Sequence, residues 1–100
     1  MRMMMKISIP IEAANQAVKD GSAQRILRTS LETLRPEAAY FYPSEEGRTI
    51  LLFLDVKENS DIPATGEPFF QGLKARISFT PVMNAQDFQA GMAKLPHDDR

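Results

Sequence analysis

Tyr40 and Tyr42, two residues apart in Glu-Ala-Ala-Tyr-Phe-Tyr, have the clearest chemical potential in this chain. Side chains alternate along an extended segment, so the two phenols share a face and Phe41 lies opposite. A phenol held on a sheet can serve as an acid, a base or a hydrogen-bond donor to an oxyanion. It can equally bury its ring at an interface while its hydroxyl stays wet, and that reading is preferred here. Arg76 and Arg28 are the cations that such a site would use for charge and hydrogen bonds; an arginine like Arg28 is more often a solvated helix face. Glu67, beside Phe69 and Phe70, is a candidate base if buried in an apolar site, although exposure is the commoner fate of a glutamate. Two adjacent aromatics cannot face the same way on a helix, so one of Phe69 and Phe70 is a candidate cleft residue; the plainer reading is that both fill core.

Other chemistries are disfavoured. A catalytic zinc site needs three protein ligands held rigidly, whereas the single histidine, His97, sits in a tail beside Asp98 and Asp99. No metal and no cofactor is expected. The five glycines are dispersed and lack the spacing of a phosphate-cradling loop. The chain has no cysteine, and one tail histidine cannot complete a Ser-His-Asp or Cys-His arrangement. A net charge of −1 and a pI of about 5.8 speak against nucleic acid, which usually requires a basic face. The methionines at 1, 3, 4 and 5 open like a secretory signal, but Lys6 interrupts them and no apolar stretch follows. The longest apolar run falls well short of the ~20 residues that cross a bilayer. The expected location is the cytoplasm, with no membrane partner.

The elements that must position these residues are legible in order. One domain over residues 1–100 is expected, with 96–100 as a frayed tail. The chain is organised around Arg48-Thr49-Ile50-Leu51-Leu52-Phe53-Leu54-Asp55-Val56, which has the length and β-branched content of a strand. Ile50, Leu52, Leu54 and Val56 face one way, Leu51 and Phe53 the other, so both faces need cover. Residues 3–9 alternate with Met3, Met5, Ile7 and Ile9 on one side, and Pro10 ends that strand. Residues 11–34 read as a helix broken or kinked at Gly21, with Ser22 able to cap the second half. Its stripe is Ile26, Leu27, Leu31 and Leu34, and it stops before Pro36. Residues 37–42 form a short strand joined to the central run by the polar turn 43–47. A second helix follows, capped by Asn59 or Ser60, with Pro63 in its first turn and Gly66 and Pro68 weakening its middle. Residues 74–83 alternate again, placing Arg76, Ser78 and Thr80 opposite Ala75, Ile77 and Phe79. Asn84 and Asp87 open a last helix with a capping box and an apolar stripe of Phe88, Met92 and Leu95.

Strand, helix, strand, strand, helix, strand is the βαββαβ order of ferredoxin-like folds. The expected architecture is α+β: a four-stranded antiparallel sheet in order 4-1-3-2, both crossover helices on one face, and an extra C-terminal helix. The other face then carries Lys6, Ser8, Arg76, Ser78 and Thr80 together with apolar or aromatic groups from the central hairpin. That mixture is too apolar for water alone, so a second copy is the expected partner, and the segment after Met83 is free to reach across to it.

Three motifs carry a resemblance: Arg35-Pro36-Glu37-Ala38-Ala39-Tyr40-Phe41, Ile62-Pro63 with Glu67-Pro68, and Phe79-Thr80-Pro81-Val82-Met83. Together they resemble a small bacterial domain family of unknown function, similar in turn to the dimeric α/β-barrel superfamily. The resemblance spans roughly residues 5–95 and implies a homodimer, without assigning a chemistry. Two functional classes follow. One is a non-catalytic homodimer that binds a small molecule or scaffolds another protein. The alternative is a cofactor-independent monooxygenase or isomerase acting on a small aromatic or carbonyl compound, using Tyr40, Tyr42, Arg76 or Arg28 beside a pocket walled by Phe69 or Phe70. A filled core favours the first; a cavity between helices and sheet favours the second.

Overall fold

The computed structural model describes residues 1–96; the expected tail beyond Pro96, with His97, lies outside the described residues. Four strands, β1 (Arg2–Pro10), β2 (Ala38–Ser44), β3 (Gly47–Asp55) and β4 (Arg76–Pro81), form one sheet in the order β2-β3-β1-β4. Every pairing is antiparallel. This is the expected 4-1-3-2 order read from the other edge. Three helices, α1 (Ile11–Asp20), α2 (Ser22–Leu34) and α3 (Ile62–Leu73), pack on one face, and α4 (Ala85–Ala93) follows β4. The architecture is α+β and ferredoxin-like.

Alternation decides which residues meet the helices. Met5, Ile7, Leu52 and Leu73 are essentially inaccessible, as is Phe69 from α3. Met3, Ile9, Ile50 and Leu54 extend the same layer, and Ala14, Ala17 and Ala23 let α1 and α2 approach it closely. The central run thus buries the side that carries Ile50, Leu52 and Leu54, with Val56 just beyond the strand's end.

Local chemistry sets the boundaries. Gly21 adopts φ +82°, a left-handed conformation open to glycine at no steric cost, and separates α1 from α2. Ser22 does not cap α2: it is the helix's first residue, Gly21 holds the cap position without a side-chain hydrogen bond, and the Ser22 backbone N–H donates to Asp20 Oδ1 at 2.8 Å. The β2–β3 turn is tighter than the expected five-residue loop, because Ser44 still pairs with Gly47 and only Glu45 and Glu46 turn. Gly47 is required there: φ is +128°, and a Cβ would lie 2.7 Å from the Ile9 carbonyl oxygen.

The second crossover helix differs from expectation twice. Its entry is held by Glu58, whose N–H donates to Asp61 Oδ2 at 3.3 Å, and not by Asn59 or Ser60, which lie inside the 3₁₀ turn Asn59–Asp61. It also runs unbroken through Gly66 and Pro68. Pro68 lies on the exposed side, where the carbonyl it leaves without a donor can turn to water. Thr65, Gly66, Phe69 and Leu73 are all buried, and their packing outweighs the low helix propensity.

Candidate functional site: the uncovered face of the sheet

Strand register brings the second face together residue by residue. Tyr40 lies opposite Leu51 and Tyr42 opposite Thr49 on the β2–β3 pair. Leu51 in turn meets Lys6, Phe53 meets Met4, and Thr49 meets Ser8. Lys6 meets Ser78, Met4 meets Thr80, and Ser8 meets Arg76. Among the described residues no helix packs on this face, although Ser8 and Thr49 toward its Gly47 end are buried. Met4, Leu51 and Phe53 are half-buried, and Tyr40 is 60% exposed. The Tyr40 ring stands edge-on to Phe53, with centroids 6.3 Å apart and planes at 83°, the favourable geometry for two aromatic quadrupoles. An apolar-aromatic half on β2 and β3 therefore adjoins a polar half of Lys6, Arg76, Ser78 and Thr80 on β1 and β4.

At one end of this face lies a cleft of about 310 Å³, whose lining includes Arg2, Ala38, Tyr40, Phe53 and Met83. Arg2 organises it. Its Nε donates to Glu37 Oε1 and its Nη1 donates to Asp87 at the start of α4. These bonds, with Glu37 the largest influence, push the guanidinium pKa further above its usual value. Sequence reasoning missed Arg2. Its partners stand 35 and 85 residues away, so a cation at the start of a strand is the only local signal that marks it. Asn84 and Asp87 form the expected box: Asp87 N–H donates to Asn84 Oδ1 at 2.7 Å and Asn84 N–H to Asp87 Oδ2 at 3.1 Å.

The structure divides the sequence candidates. Tyr40, Tyr42 and Arg76 share the uncovered face, with Arg76 on the opposite edge strand from the tyrosines. Arg28 and Glu67 are exposed on the helices, which cover the other side of the sheet. Glu67 accepts a hydrogen bond from Gln71 Nε2 at 2.9 Å within its own helix. Phe69 is wholly buried in the core, and Phe70 is 46% exposed with its ring over Gly66. Arg28 and Glu67 are thus not brought to the tyrosines.

The centre of the volume between helices and sheet is filled by Phe69, Met5, Ile7, Leu52 and Leu73. The depressions that do exist open to solvent. One runs between α2 and α3, about 280 Å³ and lined by Arg25, Ile26, Ser30 and Thr65 among others. A more apolar one, about 350 Å³, lies between α1, α2 and the β2–β3 hairpin. Among the described residues no three His, Asp or Glu side chains gather as metal ligands, and no helix is long and apolar enough to cross a membrane. The chain matches no protein-family model, no curated protein and no solved structure.

Proposed function

We propose that this chain is a cytoplasmic homodimeric module, of the dimeric α/β-barrel kind that its motifs resemble, and that it binds a small molecule or scaffolds another protein without chemistry of its own. One observation carries the reading: the sheet has two apolar sides and only one helical layer. Met4, Tyr40, Leu51 and Phe53 form a contiguous patch on the uncovered side. A twofold-related copy applies the same patch to itself, as an isologous interface requires. The polar row from Lys6 to Thr80 supports this arrangement, because such groups hydrogen-bond across an interface directly or through trapped water. A stable pair of this type buries at least ~1,200 Å².

Phe69, Met5, Ile7, Leu52 and Leu73 fill the centre of the space between helices and sheet, and the depression beside the β2–β3 hairpin is open to solvent with almost wholly apolar walls, which supports a binding role over catalysis in an internal pocket. The cleft beside Tyr40 is the place for a ligand in this reading, since a second copy laid on the sheet closes it. Its apolar walls suit a small aromatic or carbonyl compound, with the Tyr40 hydroxyl as the hydrogen-bond donor.

Leu51→Glu tests the proposal. It places a charge in the middle of the patch without touching the helix-covered core. Light scattering on the full-length variant is expected to give a monomer with native circular dichroism while the parent chain gives a dimer. Parent and variant showing the same mass would overturn the proposal.

A further inference from the structure

The polar half of the uncovered face holds two cations that the fold does not explain. On the antiparallel β1–β4 pair, Lys6 lies opposite Ser78 and Arg76 opposite Ser8. Each cation thus faces a serine, where a carboxylate would stabilise the pairing. The four side chains project from one side of the sheet, at the corners of a rectangle of roughly 5 by 7 Å. Lys6 and Arg76 stand diagonally across it, so their charges repel. Among the described residues neither makes an ion pair.

These four residues, with Ile77 and Glu46, line a pocket of about 200 Å³. Ser8 is its deepest member: it is 5% exposed, whereas Lys6 is half-buried and Arg76 and Ser78 are exposed. The Ser8 hydroxyl enters no hydrogen bond among the described residues and is not sealed from solvent, so it opens on the pocket. Its neighbour on β3, Thr49, is buried as deeply, but there the hydroxyl is held by Ser44 Oγ at 2.7 Å. Glu46, exposed in the β2–β3 turn, is the one carboxylate on the rim, and the two cations outnumber it. The pocket is a set of converging donors that lacks an acceptor to match.

We infer that this pocket binds a phosphoryl group, as inorganic phosphate or as the monoester of a small molecule. Charge and shape favour phosphate over carboxylate. A phosphate monoester carries about −1.5 to −2 charges at neutral pH and three strong acceptor oxygens, a match for two cations, whereas a carboxylate carries a single charge. The Arg76 guanidinium grips two oxygens side by side, Lys6 acts as a point charge, and Ser8 donates from below. An apolar cavity of about 150 Å³ already holds benzene, so this larger pocket takes a phosphoryl group and the first atoms of what it is attached to. Ser8 lies six residues along β1 from Arg2, about 20 Å, so the pocket is distinct from the apolar cleft beside Tyr40. It is complete within one copy and does not depend on the dimer. Where a second copy covers the face, a bound phosphate supplies the counter-charge that two desolvated cations need.

Nuclear magnetic resonance on the full-length chain tests the site. Backbone amide shifts are followed as sodium phosphate, or separately glycerol phosphate, is added at an ionic strength held constant with sodium chloride. Saturable shifts are expected around Lys6, Ser8, Arg76 and Ser78. Arg76→Gln, at an exposed position, and Lys6→Gln are each expected to weaken binding at least about tenfold, because each removes a charge-assisted hydrogen bond; the same spectra show that the variants are folded. Lys57→Gln, exposed beyond the far end of β3, is expected to bind as the parent does. Tighter binding of the ester identifies a phosphorylated small molecule as the occupant, and tighter binding of the free ion identifies phosphate itself. Shifts that never saturate, that sodium acetate reproduces, or that keep the parent affinity in both Arg76→Gln and Lys6→Gln overturn the phosphoryl site. Sedimentation of the same samples reads the dimer separately, so the failure of either proposal leaves the other standing.

Discussion

The two faces of the sheet obey one alternation and end in opposite conditions. On β3, Leu52 is 1% exposed, whereas its neighbour Leu51 is only half-buried on the other side. On β1, Met5 is fully buried while Met4 is not. The residue types are nearly the same, and the difference lies in what covers them. Two crossover connections supply three helices to one side and nothing to the other. A strand that is apolar on both faces, on a sheet with one helical layer, leaves apolar side chains exposed in a single copy, which is what the proposed second copy accounts for.

The widest contrast between the faces is in stability. Leu52→Ala removes side-chain atoms from the closed core and leaves a cavity, so chemical denaturation is expected to show a loss of about 2–5 kcal/mol. Leu51→Ala, measured at a protein concentration low enough to populate single copies, is expected to cost under about 1 kcal/mol. Equal costs for the two would erase the distinction between the faces.

A second contrast is between the hairpin and the sheet it closes. Gly47→Ala forces a left-handed φ on a residue with a Cβ and drives that atom against the Ile9 carbonyl. A loss of about 1–3 kcal/mol is expected in the same denaturation experiment. A cost near zero would mean that the turn opens without affecting β1.

The smallest expected effect is electrostatic and lies far from either face. The Ser22 hydroxyl and backbone N–H both donate to Asp20 and hold its carboxyl below the usual range. A carboxyl depressed in the folded state contributes stability above its unfolded pKa and loses it as pH falls through the folded value. Asp20→Ala is accordingly expected to destabilise slightly at neutral pH, with the difference from the parent vanishing in strong acid. Because the group is exposed, a difference that persisted or grew in acid would place its role in packing and not in charge.

Local signals make most of the fold legible in the amino-acid sequence. The period of two in residues 3–9 and the apolar run ending at Val56 identify the strands at the middle of the sheet, and Gly21 and Pro36 bound the first helical pair. Legibility fails where tertiary packing overrides local preference. Gly66 and Pro68 signal a break, yet the buried side chains of Thr65, Phe69 and Leu73 keep α3 continuous. The candidate site is legible only within single elements. Alternation places Tyr40 with Tyr42, and Arg76 with Ser78 and Thr80. It cannot reveal that Arg28 and Glu67, on the helices, are turned away from all of them, or that Arg2 links Glu37 to Asp87 across most of the chain.

Sedimentation velocity on the full-length chain tests the central claim most directly. With one face of the sheet closed by helices and the other by a second copy, the principal species at micromolar concentration is expected at twice the chain mass of 11.2 kDa, shifting toward the single chain only on strong dilution. A single species at the mass of one chain, unchanged as concentration rises, would contradict the account and leave Met4, Leu51 and Phe53 without a partner.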